Sequence, residues 1–366
     1  MDDTRIEDAL VTGRIQASGT TLGGLVATAH DDLTVLRSRA EGDVVGLNTL
    51  GGLVANAGDN LEVRDSASTG EVVCSGSGAG GAFYAVGDHA VIDNTYREGD
   101  LRCSGGSAGF IRRIGDDAQV TNCHVMGDVT VSSGRVSGLI DDTGEDLFLS
   151  NCWVMGTLSA SSSVEGLVGT IASGVVEDCW VDGDLSASTF GGGGLIDHAG
   201  LSGPVTIRRS YAIGSLQAAS GLVVHLGTNG IIESSWSGMT ISNGRNASGI
   251  VDYNQGIVRD SYSRSTLSAS SDYAGISRNN YGTVERTYAV GSAAGGDGLL
   301  SNDYGTISDS YWDTWSTGAP FSDGGTGLDT ATMLSPGTYA GWDLVDTWYA
   351  SGSSYPCLRW EAGCAP

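Results

Sequence analysis

Apolar positions in this chain follow neither a helical nor a simple alternating period. They arrive in short bursts that return about every 28 residues. One burst is Gly-Leu-Val or a close relative, at Gly24-Leu25-Val26, Gly52-Leu53-Val54, Gly109-Phe110-Ile111, Gly138-Leu139-Ile140, Gly166-Leu167-Val168, Gly194-Leu195-Ile196, Gly221-Leu222-Val223 and Gly249-Ile250-Val251. The other is a β-branched or leucine residue, two polar residues, a small residue and usually an aromatic ring, as in residues 120–124, 149–153, 176–180, 207–211 and 284–288. A glycine follows the aromatic segment at Gly13, Gly42, Gly70, Gly99, Gly127, Gly156, Gly183 and Gly214, with Met239, Ser265, Gly291 and Thr314 as degenerate equivalents. Each repeat offers three short strands, for example 157–160, 166–169 and 175–180, and none shows a helical period over a useful length.

One such repeat cannot bury its own apolar face; stacked repeats can. Three short strands per turn with glycine corners predict an all-β fold, a single-stranded parallel β-helix of roughly a dozen rungs. At about 4.8 Å per rung the rod would be about 55–60 Å long. A propeller needs blades of around 40 residues, and a sandwich would not keep one motif in one register. Residues 1–314 are expected to form the repeat domain. Residues 315–366, rich in Trp and Tyr (Trp315, Trp342, Trp348, Tyr349, Trp360), are expected to form a cap or docking segment.

Stacking turns repeated positions into ladders. The aromatic ladder is Tyr96, His124, Trp153, Trp180, Tyr211, Trp236, Tyr262, Tyr288 and Tyr311. Its plain role is ring stacking that shields the sheet; its functional alternative is a glycan-binding strip, for which Trp153 and Trp180 are the candidates. Cys123, Cys152 and Cys179 replace Ser or Thr in the small-residue column before the rings, where little volume is available. They lack the spacing of a zinc motif. Cys74 and Cys103 each lie four residues past an anchor glycine, so in-register stacking brings their Cα atoms within disulfide range; stacked thiols are the alternative. Cys357 and Cys364 are close enough in sequence to clip the tail.

Charge changes the picture next. Net charge is -25, and all 18 basic residues are Arg. Such a surface repels itself in dilute buffer and is screened by salt, and it disfavours nucleic acid and anionic membranes as partners. An acidic, Lys-free composition resembles that of proteins from extreme halophiles. No cofactor is required by any motif; structural Ca or screening K and Na ions are the cations to consider. Acids following the anchor glycines give Asp100 and Asp128 as weak cation-binding candidates, although no EF-hand pattern is present.

The repeat also resembles the GLUG motif repeats of bacterial and archaeal surface proteins, including some adhesins and the non-catalytic parts of certain immunoglobulin-A peptidases. Residues 256–262 and 281–291 carry the likeness, and Gly341-Trp342-Asp343 with residues 355–360 resembles the closing segment of such repeats. It covers roughly residues 10–360, and the early rungs depart from it at Ala9, Arg39 and Ala67, where the aromatic belongs. The resemblance implies a β-helical scaffold that serves many proteins rather than one activity.

Glycan cleavage on such a rod needs two carboxylates about 5–9.5 Å apart. Neighbouring rungs supply this almost anywhere among 43 acids; Asp141 and Asp142, near Glu145 and Asp146, and Asp182 with Asp184 near Trp180 are the places to look. No P-loop or dinucleotide fingerprint occurs. No apolar stretch reaches membrane-span length, and the start Met1-Asp2-Asp3-Thr4 lacks the features of a secretory signal. The expectation is therefore a non-enzymatic structural or attachment protein of a halophilic archaeal virus particle, a fibre, spike or decoration. It would be a homo-oligomer, such as a trimer, contacting virion or cell-surface proteins, host glycans or an S-layer. The alternatives are a polysaccharide-degrading enzyme using paired carboxylates and a haloarchaeal cell-surface adhesin. In each case the site of action is a virion, the cell surface or the extracellular space.

Overall fold

The computed structural model describes residues 4–188, 191–217, 219–242, 246–268 and 272–364. The chain winds as a succession of short strands into a parallel β-solenoid with three principal faces. The first face is a twelve-stranded sheet running from Thr4–Glu7 to Thr306–Ser308. The second, eleven-stranded, runs from Val26–Thr28 to Leu300–Asp303. The third carries the aromatic ladder and the segment after the anchor glycine, which merge into single long strands at Trp153–Ala160 and Trp180–Ala187. Pairing between rungs is parallel and in register: Trp153 lies level with Trp180, Gly156 with Gly183 and Leu158 with Leu185. The strands pair antiparallel only at Trp348–Tyr349 with Cys357–Leu358, among the described residues.

The core is a narrow column of Val, Leu and Ile, one set per rung, such as Val63, Ile92, Val120, Leu149, Val176, Ile207, Ile232 and Val258 on the first face, all fully buried. The glycines of the Gly-Leu-Val burst are held by close stacking. A Cβ on Gly52 would sit 2.0 Å from the Gly81 carbonyl oxygen, and one on Gly138 2.0 Å from that of Gly166. No other residue fits without opening the corner.

Polar corners hold the rungs together as specifically as the core does. The second polar residue of the motif adopts a left-handed conformation at Asn94, Asn122, Asn151, Asp178, Ser234 and Asp260 (φ 45–55°), which Asn and Asp tolerate best. Along this corner Asn151 Nδ2 donates to Asn122 Oδ1 (2.7 Å), and Arg209 and Arg286 each form a bidentate pair with the Asp one rung earlier, Asp178 and Asp260. The small column does more than save space. Ser66, Ser235 and Ser261 each donate to the carbonyl two residues back and accept the backbone N–H of the preceding rung. Cys152 takes the same two roles through sulfur, weakly. In-register pairing also moves the start of the ladder by one position: Leu10, not Ala9, lies level with Arg39, and Ala9 belongs to the small column, donating to Ser38.

The regular stack runs past residue 314. Thr326–Leu328 adds one further parallel strand to the third face beside Tyr311–Asp313. A short helix, Thr330–Leu334, then turns the chain back. The C-terminal segment does not simply lie over the last rung: it returns along the third face and packs on the ladder rings. Trp348, Tyr339, Trp342 and Leu358 bury themselves against Trp236, Tyr262 and Tyr288 in a second apolar cluster separate from the rod's interior. Tyr262 donates to Glu361 (2.9 Å) and Trp360 Nε1 to the Ser234 carbonyl (2.8 Å).

Candidate functional site

The most concentrated chemistry lies on the second face and its adjoining corner, around the middle of the rod. On this face Asp141 stands between Arg112 of the preceding rung and Gly169 of the next. The missing side chain at Gly169 leaves space that the Asp141 carboxylate and Ser137 hydroxyl fill; a Cβ there would lie 2.9 Å from each. Into the same space reaches Glu165. Its column along the corner is otherwise small, reading Gly51, Gly80, Ala108, Ser137, Glu165 and then Gly193 and Ser220. One long acid thus interrupts a run of small residues, its carboxyl beside the Ser137 hydroxyl that fills the space over Gly169.

Asp141 and Glu165 are both fully buried. Arg112 and Arg135 each form ion pairs with Asp141 and with Asp142, so two carboxylates meet two guanidiniums. Asp141 Oδ2 makes no well-directed hydrogen bond, but the Arg112 ion pair supplies its charge partner. Burial nevertheless pushes the Asp141 carboxyl above its ordinary range, against the opposing pull of the two arginines. Glu165 lacks such a clamp. Burial, reinforced by the Asp197 charge, raises its pKa to about 8. Ser137 Oγ lies 3.3 Å from Asp141 Oδ1 and 3.2 Å from Glu165 Oε2. A hydroxyl has one proton to donate, so it serves both only if one of the two carboxyls is protonated and donates to it; Asp141 is held as the ionised member by its two arginines, which leaves the proton to Glu165. Geometry and burial agree on a neutral Glu165 at neutral pH.

The polar track continues along this face. His198 Nδ1 lies 3.0 Å from Asp197 Oδ2, and that bond raises the imidazole pKa. His225 follows one rung on, edge-on to Tyr253 (4.8 Å), and Arg278 clamps Asp252 in two bonds of 2.7 and 3.0 Å.

The sequence candidates fall in different places. Asp141 and Asp142 belong to this cluster, but as partners of arginines rather than as an acid–base pair. Asp182 and Asp184 lie on the third face, on the Trp180–Ala187 strand, where Asp184 accepts a hydrogen bond from Ser215 Oγ (2.6 Å). Asp100 and Asp128 are structural acceptors: Asp100 Oδ1 takes the Asp128 backbone N–H (3.2 Å), and Asp128 Oδ1 takes that of Thr157 (3.0 Å). A second series, Asp31, Asp59, Asp88 and Asp116, does the same for N–H groups one rung on. Among the described residues no three His, Cys, Asp or Glu side chains converge as a metal site requires. Cys74 is joined to Cys103, and Cys357 to Cys364, with Cα separations of 4.5 and 5.6 Å; Cys123, Cys152 and Cys179 are buried free thiols.

Trp153 and Trp180 are half-buried and stack on each other, centroids 5.0 Å apart at 5°. His124 covers the other face of Trp153 at 4.2 Å, and Tyr211 that of Trp180 at 6.0 Å. Ring planes therefore lie across the rod and present edges outward, so a sugar laid on this strip meets edges, not the flat faces that favour stacking. Arg112, Arg135, Glu165, Asp197 and His198 lie outside the acid pairs visible along the chain. The usable signal was Glu165 itself, the one long side chain in a column of Gly, Ala and Ser.

No family model, curated protein or solved structure matches this chain. No helix among the described residues is long and apolar enough to cross a membrane.

Proposed function

We propose that this chain is a non-catalytic attachment or structural rod, a GLUG-like β-solenoid displayed outside the cell on the surface of a halophilic organism or of a virus particle that infects one. One observation carries the non-catalytic half of this reading: the carboxylates best placed to cooperate, Asp141 and Glu165, are wholly buried, Asp141 paired with two arginines and Glu165 kept protonated by burial. Two disulfides suit an oxidising compartment, and the Lys-free surface of charge -25 suits concentrated salt. An antibody against the protein should label intact cells or particles of the source; labelling only after lysis would count against display.

A second reading, polysaccharide cleavage, has one observation in its favour. Glu165, with its pKa near 8, sits beside an arginine-held Asp141, as an acid and an ionised partner must. A reducing-end and unsaturated-product assay over neutral and acidic polysaccharides separates the two. The attachment reading expects no release; release that disappears in Glu165→Gln and Asp141→Asn would establish the enzyme.

A further inference from the structure

The ladder of nine rings is covered along part of its length, and the manner of covering indicates what the remainder can hold. Three tryptophans of the C-terminal segment each carry an indole N–H to a corner residue two positions before a ladder ring. Trp360 donates to the Ser234 carbonyl (2.8 Å), Trp348 to Asp260 Oδ1 (3.2 Å) and Trp342 to the Asp309 carbonyl (3.0 Å). Their rings rest beside the ladder, Trp348 at 5.9 Å from Tyr288 and Trp342 at 6.1 Å from Tyr311. The docking unit is thus one ladder ring plus one left-handed corner with an outward acceptor.

That unit repeats on rungs the C-terminal segment does not reach. Corners Asn94, Asn122, Asn151 and Asp178 (φ 45, 55, 52 and 55°) match Ser234, Asp260 and Asp309 (φ 48, 46 and 43°). They precede Tyr96, His124, Trp153 and Trp180, which remain half-exposed. Met126 and Met155 stand in register beside His124 and Trp153, 40% and 38% exposed. The strip is continuous with the covered one through Tyr211, which Trp360 approaches at 6.3 Å. Its charged neighbours are mostly acids, Glu98, Asp128, Asp182 and Asp184, with Asp100 already paired to Arg102. Where a guanidinium reaches the ladder it is accepted: Arg264 lies 3.9 Å from the Trp236 ring centroid.

We infer that the ladder from Tyr96 to Trp180 is a docking surface for an extended peptide segment of a partner protein bearing Trp and Arg. Indole N–H groups satisfy the corner acceptors, rings and methyls pack on Met126 and Met155, and guanidiniums meet the flanking carboxylates. A second copy would bring its own charge of -25 against these acids. A glycan would find ring edges. The inference gives the attachment rod a partner chemistry and takes its biological meaning from that reading, but physically it stands on the ladder alone.

The test uses the full chain and a fluorescein-labelled peptide, Arg-Trp-Ser-Gly-Ser-Trp-Arg, followed by fluorescence polarisation. Binding should weaken about tenfold or more when both Trp become Ala, when both Arg become Glu, or when the protein carries Met155→Asp. Met155 is exposed, so that variant should keep the wild-type circular dichroism, and Trp153→Ala should act in the same direction. Absence of binding up to about 1 mM, equal binding of all three peptides, indifference to Met155→Asp, or displacement of the peptide by a neutral oligosaccharide would each overturn the inference. Such a failure leaves the antibody-labelling result untouched, so the two readings fall separately.

Discussion

At the residue scale, three positions show how a repeat accommodates a departure from itself. Arg97 occupies an inward-facing position level with Ser68 and Val125 and is 1% exposed. It survives there by donating to the carbonyls of Ser68, Glu98 and Asp100, while burial pulls its pKa down to about 10. Cys152 replaces a serine and keeps a weaker form of its hydrogen bonds. Glu165 is the departure with a measurable signature. Its folded pKa of about 8 stands above the ordinary 4.5, so the fold binds this proton more tightly than the unfolded chain does. The stabilisation is complete below about 4.5 and is lost as pH rises through about 8. Glu165→Gln, neutral at every pH, should remove that slope and raise stability above pH 8 by an amount on the order of 2–4 kcal/mol. Thermal melts of both proteins from pH 5 to 9 check this; parallel curves would mean that Glu165 is ionised in the fold.

At the scale of elements, the strands and their register were legible in the chain, because the repeated residue types mark the corners. Legibility faded where the repeat ended. Residues 315–366 read as a cap or docking segment; their strand Thr326–Leu328 extends the stack, and residues 339–360 pack along the ladder face. The direction of that return is set by indole N–H groups meeting particular corners, a match between non-repeating and repeating sequence that no period reveals. Trp348 is the centre of the contact, fully buried and bonded to Asp260. Trp348→Ala should cost about 3–5 kcal/mol of local stability. Native-state hydrogen exchange should then speed up across residues 330–361, while the first-face core strands from Glu62–Arg64 to Gly174–Glu177 keep their protection. Unchanged exchange in the segment would show that it is held by other contacts.

At the scale of the whole molecule, two electrostatic effects oppose each other. Inter-rung ion pairs such as Arg37–Asp8 and Arg209–Asp178 weaken as salt screens them, but exposed pairs are worth only about 0–1 kcal/mol each. The surplus of 43 acids over 18 arginines acts over the entire rod, and its relief by salt should dominate. The unfolding midpoint should therefore rise between about 0.1 M and about 2 M KCl, where the screening length falls to a few ångströms. A flat or falling midpoint, followed by circular dichroism, would show that the acids are already compensated, and the structure does assign at least ten of them to backbone N–H or hydroxyl groups of the next rung.

The sequence by itself determined the solenoid, its three strands per rung, the ladders and the glycine corners, because in-register stacking is a translation and a translation along the rod is a period along the chain. It also placed Asp141 and Asp142 among the residues of interest. The tertiary structure alone decided which way the Trp153 and Trp180 rings face, which acids serve as caps, that Glu165 and Asp141 share a hydroxyl over Gly169, and that the C-terminal segment covers one half of the ladder. Those outcomes depend on how adjacent faces turn at a corner and on contacts between segments as far apart as Ser234 and Trp360, relations that no single column of the repeat contains.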